Sequence, residues 1–223
     1  MFKDAGDLAQ LIDHTLVRPD ATLSDLTKAC EDAKKYGFAC VVVNSSFVTR
    51  ARELLSGTLV KVCSVVGFPH GASTTTVKIV EAMEAMKNGA SELDIVINLG
   101  MVRSARFDVV EIDLKNIIAM TPQKVHKAII EIGMLTDDEV LRVCEIAMRA
   151  GAEFIKTSTG YGPRGAIVDD IRKIRQVVGS VCRIKASGGI RDLAAATAMI
   201  EAGAERIGTS AGTAIMEEYL SKK

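Results

Sequence analysis

The sequence predicts an α/β fold, a single (β/α)8 TIM barrel that spans residues 1–223 as one domain. Three observations predict it: eight short apolar segments alternate with amphipathic stretches, glycine follows several of these stretches, and one unit of sequence is repeated near the end. A length of 223 residues suits a barrel, which commonly folds as one unit of about 200–250 residues. No linker or low-complexity tract divides the chain.

The predicted strands are short apolar runs, as expected for parallel strands that are buried on both faces. They cover residues 11–16, 39–44, 60–68, 92–98, 125–131, 153–158, 182–187 and 205–210. An open, doubly wound sheet would show the same runs. However, no G-x-G-x-x-G motif follows the first strand and nothing splits the chain into halves, which favours the closed barrel.

Two of the stretches between strands have an apolar face with the spacing i, i+3, i+4, i+7, which is typical of a helix. The first face comprises Ile79, Ala82, Met83 and Met86, and the second comprises Val140, Val143, Cys144 and Ala147. Thr136 and Glu139 have the spacing of a capping box at the start of the second helix. Helix ends are predicted at Gly37, Gly89, Gly151 and Gly203.

An internal repeat supports a fold built from similar units. Residues 151–158 and 203–210 agree at six of eight positions, and both read as a helix end followed by a strand. Lys156 in the first copy corresponds to Gly208 in the second copy. The repeated unit therefore does not itself require a lysine at this position.

The composition excludes several classes of protein. Lys plus Arg and Asp plus Glu are equal at 28 each, so no broad charge favours nucleic acid or an anionic membrane as a partner. The five cysteines are odd in number and include no C-x-x-C pair, which argues against a disulfide framework and a zinc site. No stretch resembles a signal peptide or approaches the ~20 apolar residues of a membrane helix, so a cytoplasmic protein is expected.

Polar residues in or just after the predicted strands are the candidates for catalysis, because barrel enzymes carry their chemistry at the carboxyl ends of the strands. Lys127, Lys156 and Lys185 belong to three consecutive strands. A strand lysine usually points outward or pairs with a carboxylate. Three on neighbouring strands would bring their ammonium groups together, and both burial and like charge disfavour protonation. One of them is therefore expected to be neutral near neutral pH, as imine formation requires.

Asp13 and Asp94 are the acidic candidates on the same test. Asp94 is either a counter-ion for the lysines or a proton carrier, and the two roles are compatible. Glu92 shares the face of Asp94 by the two-residue period of a strand but lies at the strand start, so it ranks below Asp94.

Two glycine-rich segments follow the last two predicted strands, Ser-Gly-Gly at 187–189 and Gly-Thr-Ser-Ala-Gly at 208–212. Each leads into a helix. In barrels the loops after strands 7 and 8 frequently bind phosphate through backbone N–H groups and a helix N-terminus. Glycine lets a phosphate approach the backbone closely, so the pair of segments predicts a phosphate site.

The chain resembles the 2-deoxyribose-5-phosphate aldolase family in motifs that run in the family's order. They are Leu-Ile-Asp-His-Thr at 11–15, Glu-Leu-Asp-Ile-Val at 92–96, Lys-Ala-Ile-Ile-Glu at 127–131, Phe-Ile-Lys-Thr-Ser-Thr-Gly at 154–160, Ile-Lys-Ala-Ser-Gly-Gly-Ile-Arg at 184–191 and Arg-Ile-Gly-Thr-Ser at 206–210. The segment around Lys156 is the most specific of them.

The resemblance implies a class I aldehyde-lyase that cleaves 2-deoxy-D-ribose 5-phosphate reversibly into acetaldehyde and D-glyceraldehyde 3-phosphate, in deoxyribose phosphate catabolism. In this scheme Lys156 forms the Schiff base, and Lys185 lowers the pKa of Lys156 and shares proton transfer with Asp94. The implied substrate-site residues are Thr159, Gly160, Gly188, Gly189, Ser210, Lys127, Asp13, Thr15 and Cys40. No cofactor or metal is implied. The expected partners are small phosphorylated sugars, aldehydes and further copies of the chain in a dimer or tetramer.

Three other readings compete with this one. A metal-dependent aldolase would have to use His14, His70 and His126, of which His126 lies at the start of its strand, the wrong end of a barrel. An isomerase or a non-catalytic sugar-phosphate binder could have the same fold. Neither of these two needs a neutral lysine, so a covalent imine trap separates them from an aldolase.

Three side chains depart from the family pattern or lack an obvious place. Tyr161 stands after Gly160, where the family may carry a basic residue, so phosphate binding is expected to depend more on backbone donors. Arg183 shares the inward face of Lys185 by alternation and has no evident counter-charge. Tyr219 lies in a helical segment, and a packing role is favoured for it.

Overall fold

The computed structural model describes residues 2–222, and its eight strands form a closed parallel barrel. Neighbouring strands pair in chain order, and the last strand pairs with the first. The strands are β1 (Ile12–Leu16), β2 (Cys40–Val43), β3 (Lys61–Val66), β4 (Glu92–Val96), β5 (Val125–Ile129), β6 (Phe154–Lys156), β7 (Arg183–Ser187) and β8 (Arg206–Thr209). The predicted (β/α)8 barrel is therefore confirmed.

Helices connect the strands and surround the barrel. They are α1 (Ala5–Ala9), α2 (Leu23–Tyr36), α3 (Val48–Leu54), α4 (Thr75–Lys87), α5 (Leu99–Arg103), α6 (Phe107–Met120), α7 (Asp137–Ala150), α8 (Val168–Val178), α9 (Leu193–Glu201) and α10 (Gly212–Ser221), with 3-10 turns at Ser45–Phe47 and Ile132–Met134. Between residues 2 and 222, no helix has the length and apolar character needed to cross a membrane.

Every predicted strand is present, but six of them end earlier than predicted, two of these (β2 and β8) by a single residue. β3, β4, β5 and β6 each stop two residues before the end of the apolar run. The residues beyond these strands, such as Ile97 and Ile130, are still buried in the core. Apolar character therefore marks burial at the barrel end, whereas the strand itself ends where the regular ladder stops.

The predicted helix signals are confirmed for α7. Thr136 and Glu139 form the reciprocal capping box at its start, and Gly151 ends it in the left-handed conformation. The apolar residues Val140, Val143, Cys144 and Ala147 are all buried. The other three predicted stop glycines also have positive φ, between 72° and 114°.

The predicted apolar face of α4 is confirmed only in part: Ala82 is buried, and Ile79 and Met86 are half-buried. The buried residues of this helix are Lys78, Ala82 and Ala85, whereas Met83 is 37% exposed. Lys78 is fully buried because its Nζ lies 2.7 Å from the carboxylate of Asp113 on α6 and donates to the carbonyl of Val96 at 2.9 Å. Apolar periodicity cannot reveal a buried ion pair, so the prediction missed Lys78.

This ion pair generates a stability prediction. Asp113→Ala leaves the Lys78 ammonium buried without a counter-charge, and the free energy of unfolding should fall by about 3–5 kcal/mol. Lys78→Met combined with Asp113→Leu should recover most of that loss, since no charge is then buried. Asp108→Ala is the matched control on the same helix, because Asp108 pairs with Arg106 in solvent, and it should change stability little. Urea unfolding measures all four proteins, and equal losses in the two Asp→Ala variants would contradict the prediction.

Candidate active site

The strand register brings the predicted catalytic residues to one place inside the barrel. Asp94 on β4 pairs with Lys127 on β5, and Lys156 on β6 pairs with Lys185 on β7. The carboxylate of Asp94 lies 2.7 Å from Nζ of Lys156, 2.7 Å from Nζ of Lys185 and 2.9 Å from Nζ of Lys127. Asp94 is thus the common partner of all three lysines.

A second layer of charge lies below Asp94. Lys127 also contacts Glu92 at 2.6 Å, and Lys185 also contacts Asp13 at 2.5 Å. Arg206, at the start of β8, reaches both Asp13 at 2.5 Å and Glu92 at 3.4 Å. Each carboxylate of this layer therefore has two cationic partners or more, and these contacts join the layer to Lys127 and Lys185.

The pKa values divide the lysines into two kinds. Burial lowers the pKa of Lys156 below that of a free lysine; Asp94 opposes this shift, and the like charge of Lys185 adds to it. Burial also acts to lower the pKa of Lys127 and of Lys185, but the carboxylates around them outweigh it and raise both values. Lys156 is therefore the lysine that most readily becomes a neutral amine.

Gly208 explains why the second copy of the internal repeat lacks a lysine. A Cβ at this position would lie 2.9 Å from Cε of Lys185. Glycine on β8 thus leaves space for Lys185 beside Asp94, and a side chain at this position would require Lys185 to shift.

A cavity of about 670 Å³ opens at the carboxyl ends of the strands, and Lys156 is the lysine of the cluster that lines it. Six further residues predicted for the substrate site share the lining: Thr15, Thr159, Gly160, Gly188, Gly189 and Ser210. Lys156 is only 3% exposed, so its amine borders the cavity but is largely shielded from solvent. The geometry suits a small ligand that reaches Lys156 with one end.

The remaining predicted residues lie beneath this cavity and not in its lining. Asp94 and Lys185 are fully buried. Asp94 accepts a hydrogen bond from Lys156, and Lys185 donates to the same carboxylate. Asp13 and Lys127 are fully buried in the charged layer, and so is Cys40 on β2, whose thiol lies within 4.8 Å of the Asp13 and Glu92 carboxylates. Burial raises the pKa of the Cys40 thiol well above its usual range.

The two predicted phosphate loops differ at their helices. At the start of α9, Asp192 caps the N–H of Ala195 and Glu218 accepts from the N–H of Leu193. These carboxylates already satisfy the helix terminus, which makes it a poor site for an anion. The start of α10 has no side-chain cap, and Ser210, Ala211 and Thr213 there line the cavity. The structure therefore favours the α10 end, together with Gly188 and Gly189, for phosphate.

The three histidines do not converge. His14 packs against the ring of Phe38, His70 is exposed after β3, and His126 contacts Thr121 at the start of β5. Among residues 2–222, the side chains of Asp13, Cys40 and Glu92 do come close enough to share a metal ion. Arg206, Lys127 and Lys185 already compensate these two carboxylates, so the donor set does not fit an added cation.

Sequence reasoning missed three contributors to the site. Arg206 and Cys63 belong to the buried network, where the Cys63 thiol donates to Asp94 at 3.1 Å. Glu131, the second residue after β5, binds Thr159 of the cavity lining. Its place at the carboxyl end of a predicted strand could have marked Glu131 as a candidate but not its partner, whereas Arg206 lies at the start of β8 and no such signal marks it.

The three unplaced side chains are accounted for. The Arg183 guanidinium is outside the charged network, since Arg183 is exposed and stacks 4.0 Å above the ring of Phe154. Tyr161 lines the cavity, where its hydroxyl donates to the carbonyl of Val17 at 3.3 Å. Tyr219 lies on α10 with its ring edge-on to that of Phe2, at 5.4 Å.

The charge cluster generates a prediction about Lys156. Lys185→Leu removes a like charge and leaves Asp94 to attract Lys156 more strongly, so the pKa of Lys156 should rise. Each unit by which the pKa of Lys156 rises leaves about tenfold less of the neutral amine at a fixed pH below the pKa. The pH dependence of reductive methylation at Lys156, read by peptide mass mapping, measures it. Lys87→Leu, at an exposed lysine, is the control, and an unchanged midpoint in Lys185→Leu would exclude charge tuning.

Comparisons with known proteins agree on one family. A family model described as DeoC/LacD family aldolase matches residues 8–218. The deoxyribose-phosphate aldolase of Caldanaerobacter subterraneus subsp. tengcongensis is 50% identical over 216 residues, which cover 96% of this chain and 94% of that protein. Two solved structures have TM-scores of 0.93: "QR15, an Aldolase", at 43% identity and 97% coverage of both chains, and the deoxyribose phosphate aldolase of Aeropyrum pernix, at 33% identity with 100% and 94% coverage. The chain belongs to the DeoC/LacD family of aldolases.

Proposed function

We propose that the chain is a class I aldolase that cleaves 2-deoxy-D-ribose 5-phosphate to acetaldehyde and D-glyceraldehyde 3-phosphate, with Lys156 as the nucleophile. The observation that carries the proposal is the position of Lys156. It is the lysine of the cluster that lines the cavity, it touches one carboxylate where Lys127 and Lys185 each touch two, and its pKa is lowered. An imine needs this combination of access and neutrality.

The reaction follows from the chemistry of a neutral amine and an aldehyde. Nζ of Lys156 adds to C1 of the sugar, and loss of water gives a protonated imine. Removal of the proton from the C3 hydroxyl forms a C3 carbonyl and breaks the C2–C3 bond, whose electron pair moves into the imine. Glyceraldehyde 3-phosphate leaves, and an enamine stays on the lysine. Protonation of C2 and hydrolysis then release acetaldehyde and the free amine.

Asp94 and Lys185 are the proposed proton carriers. Oδ2 of Asp94 accepts from Lys156 and from Lys185, each at 2.7 Å, so a proton can pass between the two amines through one carboxylate oxygen. Although burial opposes its ionisation, the three lysines hold the pKa of Asp94 well below its usual range. Asp94 is therefore neutral only in passing, and it gives the proton on at once to one of the two amines.

The proposed phosphate site is built mainly from backbone. Gly188 and Gly189 line the cavity, and the uncapped start of α10 offers N–H groups and a favourable dipole. This end of the cavity would fix the phosphate while the aldehyde end reaches Lys156.

Self-association is also part of the proposal. The Aeropyrum pernix protein, which has the same fold over the whole chain, is described as tetrameric. Val77, Val80 and Ile112 on α4 and α6 are each more than half exposed here. Contact between copies of the chain would remove such apolar surface from water.

The first test of the mechanism is a covalent trap. Borohydride with acetaldehyde or deoxyribose 5-phosphate should attach the substrate carbon skeleton to Lys156, as read by peptide mass mapping, and should do so equally in EDTA. Lys156→Met is the negative control, because it keeps the length of the side chain and removes the amine. A label on Lys185 or Lys127 would overturn the assignment of the nucleophile. No label at all would favour an isomerase or a binding protein.

The second test addresses the phosphate site. Ser210→Asp places a carboxylate beside the start of α10, where it would repel phosphate and compete for the same N–H donors. KM for deoxyribose 5-phosphate should rise by roughly tenfold or more, equivalent to about 1.4 kcal/mol, while KM for unphosphorylated deoxyribose changes little. Ser210→Asn is the matched uncharged control. Equal effects of Ser210→Asp on both substrates would remove this helix from the phosphate site.

A further inference from the structure

Glu131 is a buried acidic residue outside the catalytic network. It is the second residue after β5, is 2% exposed and has φ 48° and ψ 58°, in the left-handed region. Residues other than glycine rarely adopt this conformation, which persists only where the surroundings hold it in place. Both the backbone and the burial of Glu131 therefore need an explanation.

The carboxylate of Glu131 is bonded to the loop between β6 and α8. Its Oε2 accepts from the backbone N–H of Thr159 at 3.1 Å and, in a short hydrogen bond, from the Thr159 hydroxyl. The Thr159 hydroxyl oxygen in turn accepts from the N–H of Tyr161 at 3.0 Å. One carboxylate oxygen thus orders the segment 159–161, which lines the cavity beside Lys156.

No cation shares this carboxylate. Between residues 2 and 222, the ion pairs closer than 4 Å do not include Glu131, and its Oε1 is buried without a hydrogen-bond partner. Gly162 packs directly on the carboxylate, because a Cβ there would lie 2.6 Å from Oε1. Among the described residues, the N–H and hydroxyl groups of Thr159 are therefore the donors that compensate the burial of this carboxylate. The loop needs the carboxylate as an acceptor, and the carboxylate needs the loop for its hydrogen bonds.

The direction of these hydrogen bonds fixes the chemistry that Thr159 offers. Its hydroxyl proton is directed to Glu131, and its oxygen already accepts from Tyr161. The hydroxyl has no second proton to donate, so toward a ligand it can act only as an acceptor. A hydroxyl group of a sugar is a donor that fits this requirement.

We infer that Glu131 is a positioning residue of the aldolase site, which acts through Thr159 to hold the loop 159–161 and to present Thr159 as a hydrogen-bond acceptor to the sugar. This inference rests on the proposed function. A purely structural carboxylate would stabilise the fold without affecting substrate binding, whereas a positioning residue affects KM through the loop. Two substrates separate these roles: deoxyribose 5-phosphate is long enough to contact the loop, whereas acetaldehyde contacts only the region of Lys156.

The experiment compares Glu131→Ala and Glu131→Gln with the wild type. KM for deoxyribose 5-phosphate should rise at least tenfold in Glu131→Ala, because the loop loses both acceptor bonds. Glu131→Gln should restore KM to within about threefold, since the amide oxygen can accept both bonds. Borohydride trapping of acetaldehyde on Lys156 should keep its wild-type pH dependence in both variants. Asp138→Ala is the matched control, because Asp138 is an exposed acid on the following helix.

A double-mutant cycle tests the path through Thr159. Thr159→Val removes the hydroxyl at nearly constant shape, and Glu131→Ala should then raise KM by less than threefold in that background. If Glu131→Ala does not fold, Thr159→Val alone supplies the answer, and an unchanged KM in it would overturn the inference. Additive effects, a KM in folded Glu131→Ala that equals the wild-type value, or a parallel loss of acetaldehyde trapping would also overturn it.

Failure of this inference differs from failure of the proposed function. If wild-type Lys156 is not trapped by acetaldehyde, the proposed mechanism is wrong whatever Glu131 does. If the wild type is trapped and folded Glu131→Ala turns over normally, the mechanism stands and Glu131 is merely structural.

Discussion

The compensation of charge inside the barrel depends on the Asp94 carboxylate, because three lysines contact it at 2.7–2.9 Å. Buried charges are tolerated only in compensated sets. Among the described residues, three interior carboxylates face four cationic side chains of the interior, and the solvent-exposed Lys61 also reaches Glu92 at 3.8 Å. The carboxylates are those of Asp13, Glu92 and Asp94, and the cations are those of Lys127, Lys156, Lys185 and Arg206. The set balances when one cation gives up its proton, which is the state that aldehyde chemistry requires.

The contacts decide which cation that is. Lys127 touches Glu92 and Asp94, and Lys185 touches Asp13 and Asp94. Each of these two amines would leave two carboxylates short of a partner if it lost its proton. Lys156 touches Asp94 alone, and Asp94 would keep two other lysines. The smallest electrostatic cost of deprotonation therefore falls on the one lysine of the cluster that lines the cavity, so access and ease of deprotonation coincide in the same residue.

The barrel could be predicted from sequence because strands buried on both faces are apolar runs and because several helices end on glycine. The lysine cluster could be predicted because strand order in a barrel determines which side chains are neighbours. The burial of Lys78 on α4 could not be predicted, since it depends on an ion pair with Asp113 on another helix. Glu131 was missed for a related reason: its partner Thr159 lies on the next loop, and a strand-end pattern does not specify which loops touch. Contacts between polar groups of separate elements are specified by geometry, not by periodicity.

The site is divided into a buried charge network within the barrel and a layer of loops above it, and the division has a physical reason. The cavity between the loops is lined by glycines and by charged side chains such as Arg18, Lys28 and Arg191. A phosphate that reached the lower layer would compete with Asp94 for the lysines and raise the pKa of Lys156. Backbone donors near Gly188 and at the start of α10 can hold phosphate without adding a cation to the lysine cluster. Gly208 serves the lower layer by leaving space for Lys185, and two residues later Ser210 lines the cavity. A lysine at position 208, as in the other copy of the repeat, would add a fifth cation and displace Lys185 from Asp94. The asymmetry between the two copies therefore preserves the charge balance that lets the pKa of Lys156 be lowered.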